Sequence, residues 1–299
     1  MDDFSPSPGL TTNLALSLAA RAAEVLGYSS QGAIVLGPVA ENATVLLPQE
    51  QTVLRISAET QFARARQELH LAQWLSASGV PVTQPVGSRD PLRCEGWVVT
   101  AWREIVGLRP ASTEVIGAVL AQLHQLQEPE FALPELDPLE GVEGYLRTSD
   151  LPDSDVCFLK QKLVELRQAW EQVEPELPVG PVHGDAHRKN IVQDAAGRPV
   201  VLDLERFSTG LREWDLVIAA VYQRLGWFSP TEYDRFVASY GWDVRGWEGF
   251  KVVAAVRELR MAAWLCARTR REPRLLSEAR RRVASLRDPA GPRDWRPGV

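Results

Sequence analysis

The residues best suited to chemistry lie between His183 and Glu205, in HGDAHRKNIVQDAAGRPVVLDLE, where His183, Asp185, His187, Asn190, Asp203 and Glu205 crowd into one short stretch. Val182 closes an apolar run, and His183 to Lys189 is too polar for a buried strand. Ile191-Val192, a turn of Ala-Ala-Gly-Arg-Pro, and Val200-Val201-Leu202 read as a hairpin. Polar groups are thereby collected at one end of a small sheet. Asp185 precedes Asn190 by five positions, and Asp203 returns on the far strand. A carboxylate to take the proton of an attacking hydroxyl, an amide oxygen to hold a divalent ion, and a second carboxylate to bridge metal and phosphates make up the layout of phosphoryl transfer. The competing chemistry is metal-dependent hydrolysis, with His183, Asp185 and His187 as clustered ligands for zinc or manganese. That reading needs further ligands from a chain with only 4 His, and it leaves Asn190 and Asp203 unused.

HGDAHRKN and VLDLE resemble the His-Gly-Asp-x-His-x-x-Asn brace and the Ile/Leu-Asp-x-Glu segment of the aminoglycoside phosphotransferase and choline kinase family, the small-molecule relatives of protein kinases. The match is specific at these two motifs, and the order of elements agrees over most of the chain. The resemblance implies an α+β, bilobal, protein-kinase-like fold. Residues 1–101 would form a nucleotide-binding lobe around an antiparallel five-stranded sheet, residues 102–110 a hinge, and residues 111–299 a larger, mainly α-helical catalytic and substrate-binding lobe. It also implies Asp185 as catalytic base and Asn190 and Asp203 as ligands of Mg2+, with Glu205 reaching a metal through water. The nucleotide would be ATP, with GTP as the alternative, and the acceptor a hydroxyl of a small molecule. An antibiotic of aminoglycoside or nucleoside type is favoured over choline or a sugar.

Arg55 stands on a strand where kinases carry Lys, and its guanidinium would reach the α and β phosphates; the alternative is an edge-strand arginine facing water. Glu68 is the expected partner that fixes it, with Glu59 as the rival. In the resemblance, the backbone around Thr100 to Trp102 meets the adenine edge, while Trp102 either stacks on the base or closes the core. Asp215, in Glu213-Trp214-Asp215-Leu216, matches an Asp that braces the catalytic loop by hydrogen bonds. The turn Val39-Ala40-Glu41-Asn42 would cover the nucleotide phosphates, yet it has no glycine after Gly37. This weak cradle, together with Arg55, motivates a third reading, a kinase-shaped nucleotide-binding module without turnover. Retention of Asp185, Asn190 and Asp203 together speaks against it.

The elements that must carry these residues follow from periodicity. Asn13–Leu26 places Leu14, Leu18, Ala22 and Val25 at helical spacing, with Gly27 as the stop. Strands are expected at 33–39, 44–47, 52–56, 85–88 and 96–101, and a helix at 60–76 carrying Glu68 beside its apolar stripe. Helices are expected over 113–126, 154–173, 230–240, 249–266 and 275–286, with a loop over 128–153. His124 and His70 read as satisfied histidines on helices.

A chain of 299 residues with 45% hydrophobic and 24% charged residues has ordinary globular composition and room for two cored lobes. No apolar run reaches the length of a membrane span, and the acidic start MDDFSPSPGL lacks the features of a signal peptide, so a cytoplasmic protein with no membrane partner is expected. The 3 Cys are scattered, which suggests neither a disulfide framework nor a zinc cluster. The formal charge is -6, but the Arg-rich segment from Arg268 to Arg296 is positive, so the rest is more acidic still. That balance argues against nucleic acid, is compatible with a cationic substrate, and makes the basic tail a solvated helix face.

Overall fold

The structure is a computed structural model and describes residues 9–39, 42–288 and 291–297. The first half of the chain builds α1 (Thr12–Leu26), β1 (Ile34–Val35), β2 (Ala43–Leu47), β3 (Thr52–Ala58), α2 (Phe62–Ala77), β4 (Leu92–Cys94), β5 (Trp97–Arg103) and β6 (Arg109–Pro110). The second builds α3 (Thr113–Leu123), α4 (Val142–Arg147), α5 (Asp153–Trp170), β7 (Gly180–Val182), β8 (Ile191–Gln193), β9 (Pro199–Val201), β10 (Ser208–Gly210), α6 (Glu213–Arg224), α7 (Pro230–Tyr240), α8 (Phe250–Arg268) and α9 (Leu276–Arg287). A five-stranded antiparallel sheet lies in the N-terminal part and the C-terminal part is mainly helical, the α+β make-up expected from the sequence.

One unit comprises residues 1–110 and Ile191–Glu205. Its sheet runs β1-β2-β3-β5-β4, every pair antiparallel. Alternation buries Leu54 and Ile56 of β3 with Val45 and Leu47 of β2, against Leu18, Ala19 and Ala22 of α1. The hydroxyl of Thr11 caps α1 by accepting from Leu14 N–H, and Gly27 ends it in the left-handed region. Val25, read as part of the apolar stripe, is 72% exposed; the small faces of Ala15, Ala19 and Ala23 are buried instead, allowing close approach to the sheet.

Several expected strands differ. The strand over 33–39 shortens to β1, and Ala40 and Glu41 of the expected phosphate turn lie outside the described residues. The fourth strand is not 85–88 but β4. Pro85 has no N–H to give and makes only an isolated bridge to Trp102, and Gly87 turns the chain away at φ 83°. A three-stranded sheet, β6-β8-β9, takes the hairpin of the second half into this unit, whereas the sequence reading placed it with 111–299. The reason is main-chain pairing: β8 pairs with β6, and Val201 N–H donates to Pro81 O at 2.7 Å while its own carbonyl accepts from Thr83 N–H at 3.0 Å.

The other unit comprises Ala111–Asn190 and Arg206–Val299. Its core is α8, with Val253, Val256, Leu259, Ala262 and Leu265 buried, packed by α4, α5, α6 and α9. α3 and α7 press closely enough that a Cβ on Gly117 would lie 2.5 Å from Phe236 O. The expected loop over 128–153 holds α4 and a bridge from Glu135 to Thr209. The basic tail is not a solvated face throughout. Arg282 is 4% exposed and paired with Glu278, and Arg293 is 8% exposed and paired with Glu258. Among the described residues no helix is long and apolar enough to cross a membrane.

Candidate active site

In the mainly helical unit, β7 pairs with β10 and delivers the chain into His183-Gly184-Asp185. Asp215, in the first turn of α6, accepts from both of the first two amides: His183 N–H at Oδ2 (2.7 Å) and Gly184 N–H at Oδ1 (2.9 Å). The His124 ring closes the brace, with Nε2 3.2 Å from Asp215 Oδ2 and Nδ1 2.9 Å from the Tyr240 hydroxyl. Trp214 Nε1–H donates to Gly184 O at 2.8 Å. Gly184 is required here: its φ is 82°, and a Cβ would fall 2.3 Å from Arg206 O. With both polar groups of Gly184 tied down, the direction of Asp185 is fixed.

Asp185 is anchored on one side. Arg257 Nη1–H of α8 donates to its Oδ1 at 2.8 Å, and that arginine is 6% exposed against 28% for the aspartate. Oδ2 lies 3.6 Å from His187 Nε2. Burial alone would raise the Asp185 pKa, but the Arg257 guanidinium, then His187, hold it well below the usual carboxylate range, so it is ionised at neutral pH. His187 is itself pushed down, by burial first, against the pull of Asp185. Asn190 is buried. Its main-chain N–H donates to His187 O at 2.8 Å and its side-chain amide N–H to Asp185 O at 3.0 Å, so the amide oxygen is not used in these bonds.

In the sheet unit, β3 carries Arg55, whose Nη1–H donates to Glu68 Oε2 of α2 at 3.0 Å. Glu59, the rival partner, pairs with Arg93 instead. Arg55 also pairs with Glu205, whose other oxygen accepts from Arg64 Nη2–H at 2.9 Å. Burial, reinforced by the nearby carboxylates of Glu205 and Asp203 and opposed by Arg55, raises the Glu68 pKa to about 7. Arg55, Arg64, Glu68, Thr100 and Glu205 line one small cleft in this unit. Asp203, just past β9, adopts φ 54°, is exposed, and makes no hydrogen bond or ion pair among the described residues.

Thr100 faces Arg55 across the β3–β5 ladder and accepts from Trp102 Nε1–H at 2.8 Å, so both side chains are buried and Trp102 closes the core. The main-chain edge read as free for adenine is already used. Ala101 O accepts from Val86 N–H at 2.9 Å, and Arg103 N–H donates to Gln84 O at 2.8 Å.

The sequence reading missed Arg257 and Arg64. Arg257 had a signal: in Val256-Arg257-Glu258-Leu259-Arg260, charged residues interrupt an otherwise apolar helix, and a charge at such a position needs a buried partner. Arg64 had none beyond its place one turn before Glu68. Among the described residues no group of three or more His, Cys, Asp or Glu is placed to hold a metal ion, so the His183/Asp185/His187 hydrolase site does not form.

The chain belongs to the phosphotransferase enzyme family, whose profile matches residues 34–253. It is a small-molecule kinase, a phosphotransferase acting on a hydroxyl. No curated protein matches it. Among solved structures it is similar to an amicoumacin kinase, hAmiN, in complex with AMP-PNP, Ca2+ and Ami, at 17% identity over 95% of each chain with a TM-score of 0.71. It is similar also to a microcompartment-associated aminopropanol kinase, at 18% identity over 91% of this chain and 95% of that one, TM-score 0.66. A spectinomycin phosphotransferase, APH(9)-Ia, in complex with ADP and spectinomycin matches at 13% identity over 97% of each chain, TM-score 0.64.

Proposed function

We infer that the protein moves the γ-phosphoryl group of ATP, with GTP as the alternative donor, onto a hydroxyl of a small molecule with the help of Mg2+. The observation that carries this reading is the braced loop. Asp185 is ionised, fixed in direction through Gly184, bound at one carboxylate oxygen by Arg257, and partly open to solvent. It serves as the base: the acceptor oxygen bonds to the γ-phosphorus as the bond to the bridging oxygen breaks, ADP departs with that electron pair, and the acceptor proton passes to Asp185. Arg55, steadied by Glu68, holds the nucleotide phosphates, and Arg64 lies in the same cleft.

Asn190 and Asp203 suit a hard cation, because both offer oxygen atoms that the protein leaves unused. When bound, the ion would neutralise charge on the triphosphate. The adenine contact proposed for the Thr100–Trp102 region requires main-chain groups other than those the ladder consumes. An antibiotic acceptor is supported by the names of the amicoumacin and spectinomycin enzymes, an amino alcohol by that of the aminopropanol kinase.

Nucleotide consumption dependent on Mg2+, measured across a panel of hydroxylated acceptors, tests this reading. Asp185→Ala should lower turnover about 10³-fold while changing nucleotide affinity little. Near-normal turnover in that variant would remove Asp185 from the role of base.

A further inference from the structure

The electrostatics around Asp185 oppose those of the chain as a whole. Arg257 and Arg260 lie one turn apart on α8, both buried. Arg257 binds Asp185, and its Nε–H has no hydrogen-bond partner. Arg260 donates through Nη1 to two main-chain carbonyls, Pro138 O at 2.8 Å and Glu140 O at 3.0 Å, and pairs with no carboxylate among the described residues. Arg206 packs its Cβ 2.9 Å from where a Cβ on Gly184, the residue before Asp185, would lie. The Arg206 side chain is half-buried and has no hydrogen-bond or ion-pair partner among the described residues. Of the three guanidinium groups, only that of Arg257 has a carboxylate partner among the described residues, Asp185. Burial, then Arg206, lowers the Arg260 pKa to about 10, against the opposing pull of Tyr145 and Asp185.

An uncompensated buried charge is costly unless a ligand supplies the counter-charge. The geometry points to an acceptor that carries a small oxyanion, a carboxylate or phosphate ester, docked on Arg206 in the field of Arg257 and Arg260 with its hydroxyl against Asp185. This rests on Asp185 marking the acceptor's place, and it replaces the cationic acceptor that the net charge suggested. Arg206 is the contact because it is the most open of the three.

Sulfate is the probe for the oxyanion, and stability against heat is the readout. In an Arg55→Met background, which silences the nucleotide-phosphate arginine, sulfate should still raise Tm. Adding Arg206→Met should weaken that response about tenfold, and Arg206→Lys should restore much of it. An equal sulfate response with and without Arg206→Met would overturn the proposal. A turnover arm compares glycerate and glycerol 3-phosphate with glycerol and 3-aminopropane-1,2-diol, which share a carbon skeleton. Preference for either anion supports the proposal and tells carboxylate from phosphate; preference for the amine overturns it. Absence of turnover with all four counts against the kinase reading alone, because the sulfate response still decides the oxyanion site.

Discussion

Asp185 and Arg257 show how much one side chain depends on another at this site. The guanidinium binds one oxygen of the carboxylate, Oδ1, and on the proposed reading the other faces the acceptor hydroxyl. Arg257→Met should therefore lower kcat by about 10- to 100-fold, with the nucleotide KM nearly unchanged, because a misplaced base costs the transfer step rather than the binding step. Steady-state kinetics of the variant check this, and Arg257→Lys should recover part of the loss. Glu68 yields a pH prediction. Its folded pKa, about 7, lies above its ordinary value of 4.5, so the fold favours its protonated form. Its stabilising contribution is complete at acid pH and is lost as pH rises through about 7. Melting temperatures of wild type and Glu68→Gln, compared from about pH 5 to about pH 8, should shift steadily in favour of the variant.

At the scale of elements, a few contacts between segments hold the loop that begins at His183. Asp215 accepts two consecutive main-chain amides and faces His124, all of them buried. Asp215→Ala strands those donors, and chemical denaturation should show a loss of about 2–4 kcal/mol. α3 and α7 meet at Gly117, where a Cβ would overlap Phe236 O at 2.5 Å. Gly117→Ala should destabilise by about 1–3 kcal/mol through overpacking, read by the same denaturation, without altering the nucleotide KM. The sequence showed these elements through hydrophobic period and stop signals, and α7 occupies the residues expected of it. It was less informative at 85–88, where a run that reads as a strand contains a proline, and at 128–153, where α4 is only 6 residues, VEGYLR, too short to show a helical period.

At the scale of the molecule, the polypeptide divides at Pro110, Asn190 and Glu205, and the hairpin between the last two belongs to the unit formed by the beginning of the chain. A fragment ending at Pro110 lacks the partner of β6 and the two main-chain bonds made by Val201. Hydrogen exchange of that fragment should show poor protection over residues 80–83 and 109–110. Joining residues 191–205 to it through a flexible linker should restore protection there. The formal charge of -6 belongs to the molecule as a whole and says little about the surroundings of any one group.

Residue spacing pointed to phosphoryl transfer, because Asp185, Asn190 and Asp203 lie on a loop and hairpin set over some twenty residues, and the family resemblance supplied the expectation of a brace by Asp215. Tertiary structure decided what surrounds them. Arg257 meets Asp185 across 72 positions and Glu205 meets Arg55 across 150, distances over which periodicity carries no information. It also decided that the β5 edge near Thr100 is taken by Gln84–Val86, because that depends on which strands pair. Local pattern fixes which groups a segment presents; the counter-charge each receives depends on long-range packing, and the packing around Asp185 made its neighbourhood basic in an acidic protein.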